Sequence, residues 1–251
     1  MSSETRASLS VDGDLATITI ATAGGLNIMS TAAMVQLGEV VAEVRRRKEV
    51  RTTVVRAEGK VFVAGADIKE MLALDPAGAR RFGEAGMKTC DALASLPSVT
   101  IAAIHAAALG GGLEIALACD FRIATASAKV GLPESSLGLI PGWGGIRRAA
   151  ALIGVPAAKR LMFGAEPMSA AQAKEMGLLD EVVADEAAMN DAVTRLRKSL
   201  VKGSPAAVAR IKRALLDANE LGAFEDCFAT GQAKEGMTAF VEKKPPGWLR
   251  E

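Results

Sequence analysis

The chain has one histidine, His105, no tyrosine, and only 4% aromatic residues among its 251 positions. A single imidazole argues against a histidine-rich metal site and leaves a Ser-His-Asp triad only one possible base. No G-x-S-x-G, H-E-x-x-H, P-loop or G-x-G-x-x-G spacing occurs, so the usual sequence signs of serine hydrolases, zinc peptidases and nucleotide-binding folds are missing. Net charge is also scarce: 30 Lys and Arg against 29 Asp and Glu leave +1. A near-neutral chain that is half apolar is not a disordered one. Nor does it carry the overall positive field of a nucleic-acid binder. Cysteine is limited to Cys90, Cys119 and Cys227, an odd number without C-x-x-C spacing. These read as buried thiols in a reducing compartment and not as a disulfide framework. The opening stretch MSSETRASLSVDGD has no apolar h-region, so a cytoplasmic location is expected.

What the chain does have is apolar sequence, 50% of it. A protein of this length buries about 70–75% of its unfolded surface, enough for one large core. The longest apolar run, Val99 to Cys119, has the length of a membrane span. It also contains Glu114 and the triplet Gly110-Gly111-Gly112, which would be costly in lipid. It reads instead as a buried strand over Val99–Ile104, a glycine turn, and a buried helix over Gly112–Ala118.

The alternation of Leu15–Ile20 and the β-rich Thr52–Ala57 predict strands, with another at Phe121–Ala124. Met34, Leu37, Val40, Val41 and Val44 recur at helical spacing behind a Ser30 N-cap. Pro141-Gly142 reads as the start of a helix running through Ile146 towards Leu152. Ser169-Ala170-Ala171-Gln172 has the form of a capping box, and Gly177 stands where a helix ends. Ser204-Pro205 starts a further helix, with one more expected around Leu221–Phe240. Strand signals stop near Val183. The chain therefore divides into a mixed α/β core, residues 1–185, and a helical region, residues 186–251.

With so few reactive side chains, carboxylates and backbone N–H groups remain. Glu114 follows the glycine triplet inside the apolar segment LEIALAC, where an unpaired carboxylate is expensive. The plain alternative is a solvated or ion-paired residue on a helix face, but Leu117 and Ala118 one turn on weaken it. Glu134 lies between Gly131-Leu132-Pro133 and Gly138-Leu139-Ile140-Pro141-Gly142; taken alone it is an ordinary loop carboxylate. Two carboxylates in a partly apolar pocket can hold different protonation states and act as acid and base. The glycines allow close backbone approach and expose N–H groups at a helix start. Gly65-Ala66-Asp67 can add a further N–H, with Asp67 also placed to cap a helix. His105 reads as a hydrogen-bonded core residue.

Four blocks carry a family resemblance: Phe62-Val63-Ala64-Gly65-Ala66-Asp67-Ile68-Lys69-Glu70; Ala108-Leu109-Gly110-Gly111-Gly112-Leu113-Glu114; Gly131-Leu132-Pro133-Glu134 through Gly144-Gly145; and Glu235-Gly236-Met237-Thr238-Ala239-Phe240-Val241-Glu242-Lys243-Lys244. In that order they resemble the crotonase (enoyl-CoA hydratase/isomerase) superfamily over nearly the whole chain. The resemblance implies a spiral of ββα units with a C-terminal helical trimerisation region, assembled as a trimer or a dimer of trimers. It implies an acyl-CoA thioester substrate and no metal or other cofactor, since coenzyme A arrives with the substrate. The N–H groups of Ala66 and Gly111 would form the oxyanion hole. Glu114 and Glu134, 20 residues apart, match the two glutamates of the hydratase branch. By similarity Glu114 handles the water and Glu134 delivers the proton.

Substrate and CoA contacts carried over by the resemblance are Leu26, Ala64, Asp67, Ile68, Phe224, Phe240 and Lys243. Trp143 is a candidate for the acyl pocket, with core packing as its other reading, as helix packing is for the two phenylalanines. His105-Ala106-Ala107 and Gly24-Gly25 depart from the family pattern. Two further readings stay open: Δ3,Δ2-enoyl-CoA isomerisation, and RNA binding through Arg45-Arg46-Arg47-Lys48 with Arg51. The bland reading of that basic run is a solvated helix end whose cations complement the helix dipole.

Overall fold

Residues 4–200 and 202–249 are described by a computed structural model. The first strand, β1 (Arg6–Asp12), places polar Arg6, Ser8 and Ser10 outward and Ala7, Leu9 and Val11 inward. It turns at Gly13-Asp14 and pairs antiparallel with β2 (Leu15–Ala21), Asp12 opposite Leu15. Sequence reading had missed β1, although an Asp-Gly turn between alternating runs is a hairpin signal.

From β2 onward one pattern repeats: a long strand, a short strand, then a helix. β2 leads to β3 (Ile28–Met29) and α1 (Thr31–Arg46). β4 (Thr52–Ala57) leads to β5 (Gly65–Ala66), α2 (Ile68–Met71) and α3 (Pro76–Ala94). β6 (Val99–Ile104) leads to β7 (Ala108–Leu109) and α4 (Gly111–Leu117). β8 (Phe121–Thr125) leads to β9 (Lys129–Gly131), a 3-10 turn (Glu134–Leu137) and α5 (Gly145–Gly164). This is the expected spiral of ββα units, a structural repeat that leaves no repeat in the sequence. After β10 (Met168–Ser169) and α6 (Ala170–Glu175), β11 (Glu181–Val183) completes the large sheet. Its order is β1-β2-β4-β6-β8-β11, parallel from β2 on. The short strands form two smaller sheets, β3-β5 and β10-β9-β7.

Strand periodicity splits the core in two. Val54, Ile101, Ala103 and Ile123 face α7 (Glu186–Leu200) through its Met189 and Ala192. Val55, Ala102, Ile104 and Ala124 face the other way, into the larger core with α1, α3 and α4. Coverage on both faces explains why β4 and β6 are buried along their length without alternation. The Val99–Cys119 run resolves into β6, β7 and α4, and among the described residues no helix is long and apolar enough to cross a membrane.

Three further expectations change. Helix α3 had no counterpart in the sequence reading. The helix placed at Pro141-Gly142 begins at Gly145 and bends at Gly154, which takes φ 75° just before Pro156. The helix placed around Leu221–Phe240 is two, α9 (Glu220–Phe228) and α10 (Gly231–Val241). There Thr230 takes extended backbone and its hydroxyl donates to Cys227 O, a local bond that competes with helix continuation. The capping box of Ser169 and Gln172 forms as expected. Cys90 and Cys119 are buried free thiols, whereas Cys227 is half-buried. His105 lies just past the end of β6, half-buried, with Nε2 3.0 Å from Gly59 O.

The C-terminal helices attach to the core through polar bonds. Lys212 of α8 (Pro205–Asp217) donates to Ser98 O at 2.7 Å and to Asp120 at 2.6 Å. Arg51 donates to Gly203 O and Trp248 O. Within the basic run, Arg45 holds the end of α3 through Ala92 O and Ser95 O, and Arg47 pairs with Glu43. Meanwhile α8 to α10 leave Leu215, Leu221 and Phe240 more than 80% exposed.

Candidate active site

Two backbone segments meet edge to edge beside a cavity of about 260 Å³. One is 63–66, ending in β5; the other is 108–112, entering α4. Leu109 N–H donates to Val63 O at 3.0 Å and Gly110 N–H to Gly131 O at 2.9 Å. Gly112 brings α4 so close that an added Cβ would stand 2.3 Å from Val63 O. Gly110 takes φ 51°, ψ −124°, a left-handed bend that starts the helix abruptly. As the first residue of α4, Gly111 has an N–H without an intrahelical acceptor. Ala66 and Gly111 both line the cavity, as do Glu114, Glu134 and Trp143.

Glu114 is 2% exposed. Its Oε1 accepts from Trp143 N–H at 2.7 Å and from Gly145 N–H at 2.8 Å. Burial pushes its carboxyl up to about 7; the two N–H bonds pull the other way, and the nearby Glu134 adds to the rise. A carboxylate titrating near neutrality is suited to proton transfer there. The residues 141–145 therefore serve as a collar for Glu114, which is why the helix starts later than the Pro-Gly pair implied.

Glu134 opens the 3-10 turn after Pro133. It is half-buried, and burial raises its carboxyl above the ordinary value. Its Oε2 is buried with no hydrogen-bond partner among the described residues, so it can take up a partner from the substrate. Its Oε1 would be 3.0 Å from a Cβ on Gly110; the missing side chain lets the carboxylate lie against the start of α4.

Among the other residues expected at the site, Ala64 and Ile68 also line the cavity. Asp67 stands next to it and caps α2, accepting from Lys69 and Glu70 N–H. Leu26 lies outside it and is half exposed. Phe224, Phe240 and Lys243 are not brought to this cavity within one chain; Phe224 packs edge-on against Phe228, and Phe240 and Lys243 are exposed.

Sequence reading had passed over Asn27. It is fully buried, and Nδ2 donates to Glu58 O at 2.9 Å and Val61 O at 3.0 Å, with Phe62 O at 3.1 Å. Its main-chain carbonyl accepts from Ala64 N–H at 2.8 Å. Asn27 thus fixes the loop that delivers Ala66. The only local signal was a polar residue amid apolar neighbours. Asn27→Ala is expected to cost about 1–3 kcal/mol for each carbonyl left unpaired, read as a lower urea midpoint. An unchanged midpoint would show that these bonds do not hold the loop. Arg148 was also missed: it donates to Trp143 O at 2.9 Å and pairs with Asp91, joining the collar to α3.

The fold and this site define a protein of the enoyl-CoA hydratase/isomerase class, and the comparisons agree. Residues 11–251 match the sequence model of the enoyl-CoA hydratase/isomerase family, so the chain belongs to that family. It is 38% identical to a short-chain-enoyl-CoA hydratase of Clostridium acetobutylicum, over 94% of each chain. It is 36% identical to a crotonyl-CoA hydratase of Syntrophomonas wolfei, over 89% of this chain and 90% of that one. The crystal structure of an enoyl-CoA hydratase from Bacillus anthracis superposes with a TM-score of 0.85 at 33% identity, covering 96% of this chain and 98% of that one.

Proposed function

We propose that this protein is an enoyl-CoA hydratase, adding water across the C2=C3 bond of a trans-2-enoyl-CoA thioester to give a 3-hydroxyacyl-CoA. The observation that carries this reading is the pair of carboxylates, Glu114 and Glu134, in one cavity with the backbone of Ala66 and Gly111. Glu114 takes a proton from water through the oxygen its collar leaves free, and the water oxygen bonds to C3. The C2=C3 electron pair moves toward the thioester carbonyl, whose oxygen gains charge facing the Ala66 and Gly111 N–H groups. Glu134 gives a proton to C2; the proton that Glu114 took from water then passes to Glu134, which restores both carboxyl groups. The addition is redox-neutral, and the two carboxylates and the two backbone N–H groups are assigned its proton transfers and developing charge, so this reading assigns no metal or other cofactor; coenzyme A enters with the substrate. An isomerase needs only one carboxylate to move a proton between carbons, and the second glutamate favours hydration.

Ala64, Asp67 and Ile68 are assigned to the CoA side of the cavity, with Leu26 at its outer edge. Phe224, Phe240 and Lys243 are assigned to CoA bound by a neighbouring subunit. Residues 186–251 are assigned to oligomerisation, as a trimer or a dimer of trimers; the exposed apolar side chains of α8 to α10 support this. Light scattering should give three or six times the 25.9 kDa chain mass, and a monomer would overturn it. The free buried thiols support a cytoplasmic location.

The test is loss of the enoyl-thioester absorbance of crotonyl-CoA in water. Rapid loss is expected. No loss from protein that still binds CoA thioesters would overturn hydration, and conversion of a 3-enoyl thioester would then identify an isomerase.

A further inference from the structure

Trp143 belongs to a loop, yet it is 2% exposed. Its indole fills a slot between α3 and the start of α4, and two glycines make that slot. A Cβ on Gly86 would stand 2.1 Å from the indole Nε1, and one on Gly111 would stand 2.2 Å from Cζ3. Phe82, one turn before Gly86, lies with its ring centroid 5.7 Å from that of Trp143, tilted by 38°. Arg148 fixes the Trp143 carbonyl and Glu114 its N–H, so the ring is held at its backbone as well as along its faces. A side chain packed this closely has no free rotamer to move to.

We propose that Trp143 is the floor of the acyl site and restricts this protein to short-chain enoyl thioesters. The inference deepens the hydratase reading and rests on it. With the carbonyl oxygen at Ala66 and Gly111 and C2 and C3 between the two carboxylates, the acyl tail points away from the CoA side, towards the indole. The ring bounds the cavity there, and behind it lies α3. A longer tail must push the ring out of a slot shaped to it. Leu137 and Ile140 also line the cavity and are exposed, so a tail that turned out over them would escape the limit.

The test is kcat/KM for trans-2-enoyl-CoA substrates of four, six, eight and ten carbons, with wild type, Trp143→Phe and Trp143→Ala. In the wild type, each step past six carbons should lower kcat/KM on the order of 10-fold or more. Trp143→Ala should raise the ratio of eight-carbon to four-carbon kcat/KM by on the order of 10²-fold, with Trp143→Phe between. A wild type that prefers long chains overturns the proposal and points to the Leu137–Ile140 rim. An unchanged ranking in the variants also overturns it. If Trp143→Ala fails to fold by circular dichroism, the wild-type series and Trp143→Phe decide. Calorimetric Kd values for saturated acyl-CoA thioesters of the same lengths separate this idea from the hydratase reading. If nothing is hydrated, hydration fails alone, and the Kd ranking in wild type and variants still decides the floor.

Discussion

Glu114→Gln is expected to lower kcat for crotonyl-CoA hydration by roughly 10²–10⁴-fold, and Glu134→Gln by a similar factor. The amide matches the carboxylate in size, and its oxygen can still accept from the N–H groups of Trp143 and Gly145. Loss of rate therefore reports proton transfer and not collapse of the collar. Because the two groups act on one water and one proton, the double variant should be only slightly worse than either single one. Steady-state kinetics checks this, and near-wild-type turnover in either variant would remove that glutamate from the mechanism. The reactive form carries one proton over two carboxylates, so kcat/KM should be bell-shaped in pH, with limbs that belong to the pair.

The same burial has a consequence for stability. Glu114 titrates at about 7 in the folded protein against an ordinary value of 4.5. Between those values the folded state holds more protons than the unfolded state, so this residue's contribution to stability falls as pH rises through the window. Gln does not titrate. Relative to wild type, Glu114→Gln should gain up to ~3 kcal/mol on going from below pH 4.5 to above pH 7. Thermal melts across that range should show the difference widening; a constant difference would contradict a raised Glu114 pKa.

Gly112→Ala should lower kcat/KM by roughly 10²–10³-fold, the scale of a lost oxyanion donor. In an ordinary helix, replacing glycine with alanine gains roughly 0.5–1 kcal/mol. Here the new methyl would stand 2.3 Å from Val63 O and 2.8 Å from Val63 Cβ. A carbonyl oxygen of the main chain cannot rotate aside as a side chain could. It also accepts from Leu109 N–H, so moving it strains the joint between segments 63–66 and 108–112. Those segments carry Ala66 and Gly111, and their spacing sets the distance between the two proposed donors. Overpacking should also cost about 1–3 kcal/mol of stability. A folded Gly112→Ala protein with wild-type kcat/KM would show that this contact does not set the oxyanion hole.

Much of the architecture is legible in the sequence. β4 and β6 follow the strands read from Thr52–Ala57 and Val99–Ile104, because runs rich in β-branched residues and bounded by turns have few other fates. The caps at Ser30, Asp67, Ser169 and Ser204 form as read, because a cap is a contact within three residues. Helix α3 escaped notice because its sequence, PAGARRFGEAGMKTCDALA, mixes three glycines with charges, and tertiary packing overrides that weak propensity.

By itself the sequence determined the family blocks, the two glutamates 20 residues apart, and the glycines where backbone must approach backbone. Those features are short-range, and each demands a particular residue type at a particular place. Tertiary structure alone decided that Trp143 and Gly145 N–H groups hold Glu114, that Asn27 fastens the loop before Ala66, and that one indole fits between Gly86 and Gly111. These contacts join residues about thirty or more positions apart. Such contacts depend on the volume left between packed elements, and no local pattern of residues encodes that volume.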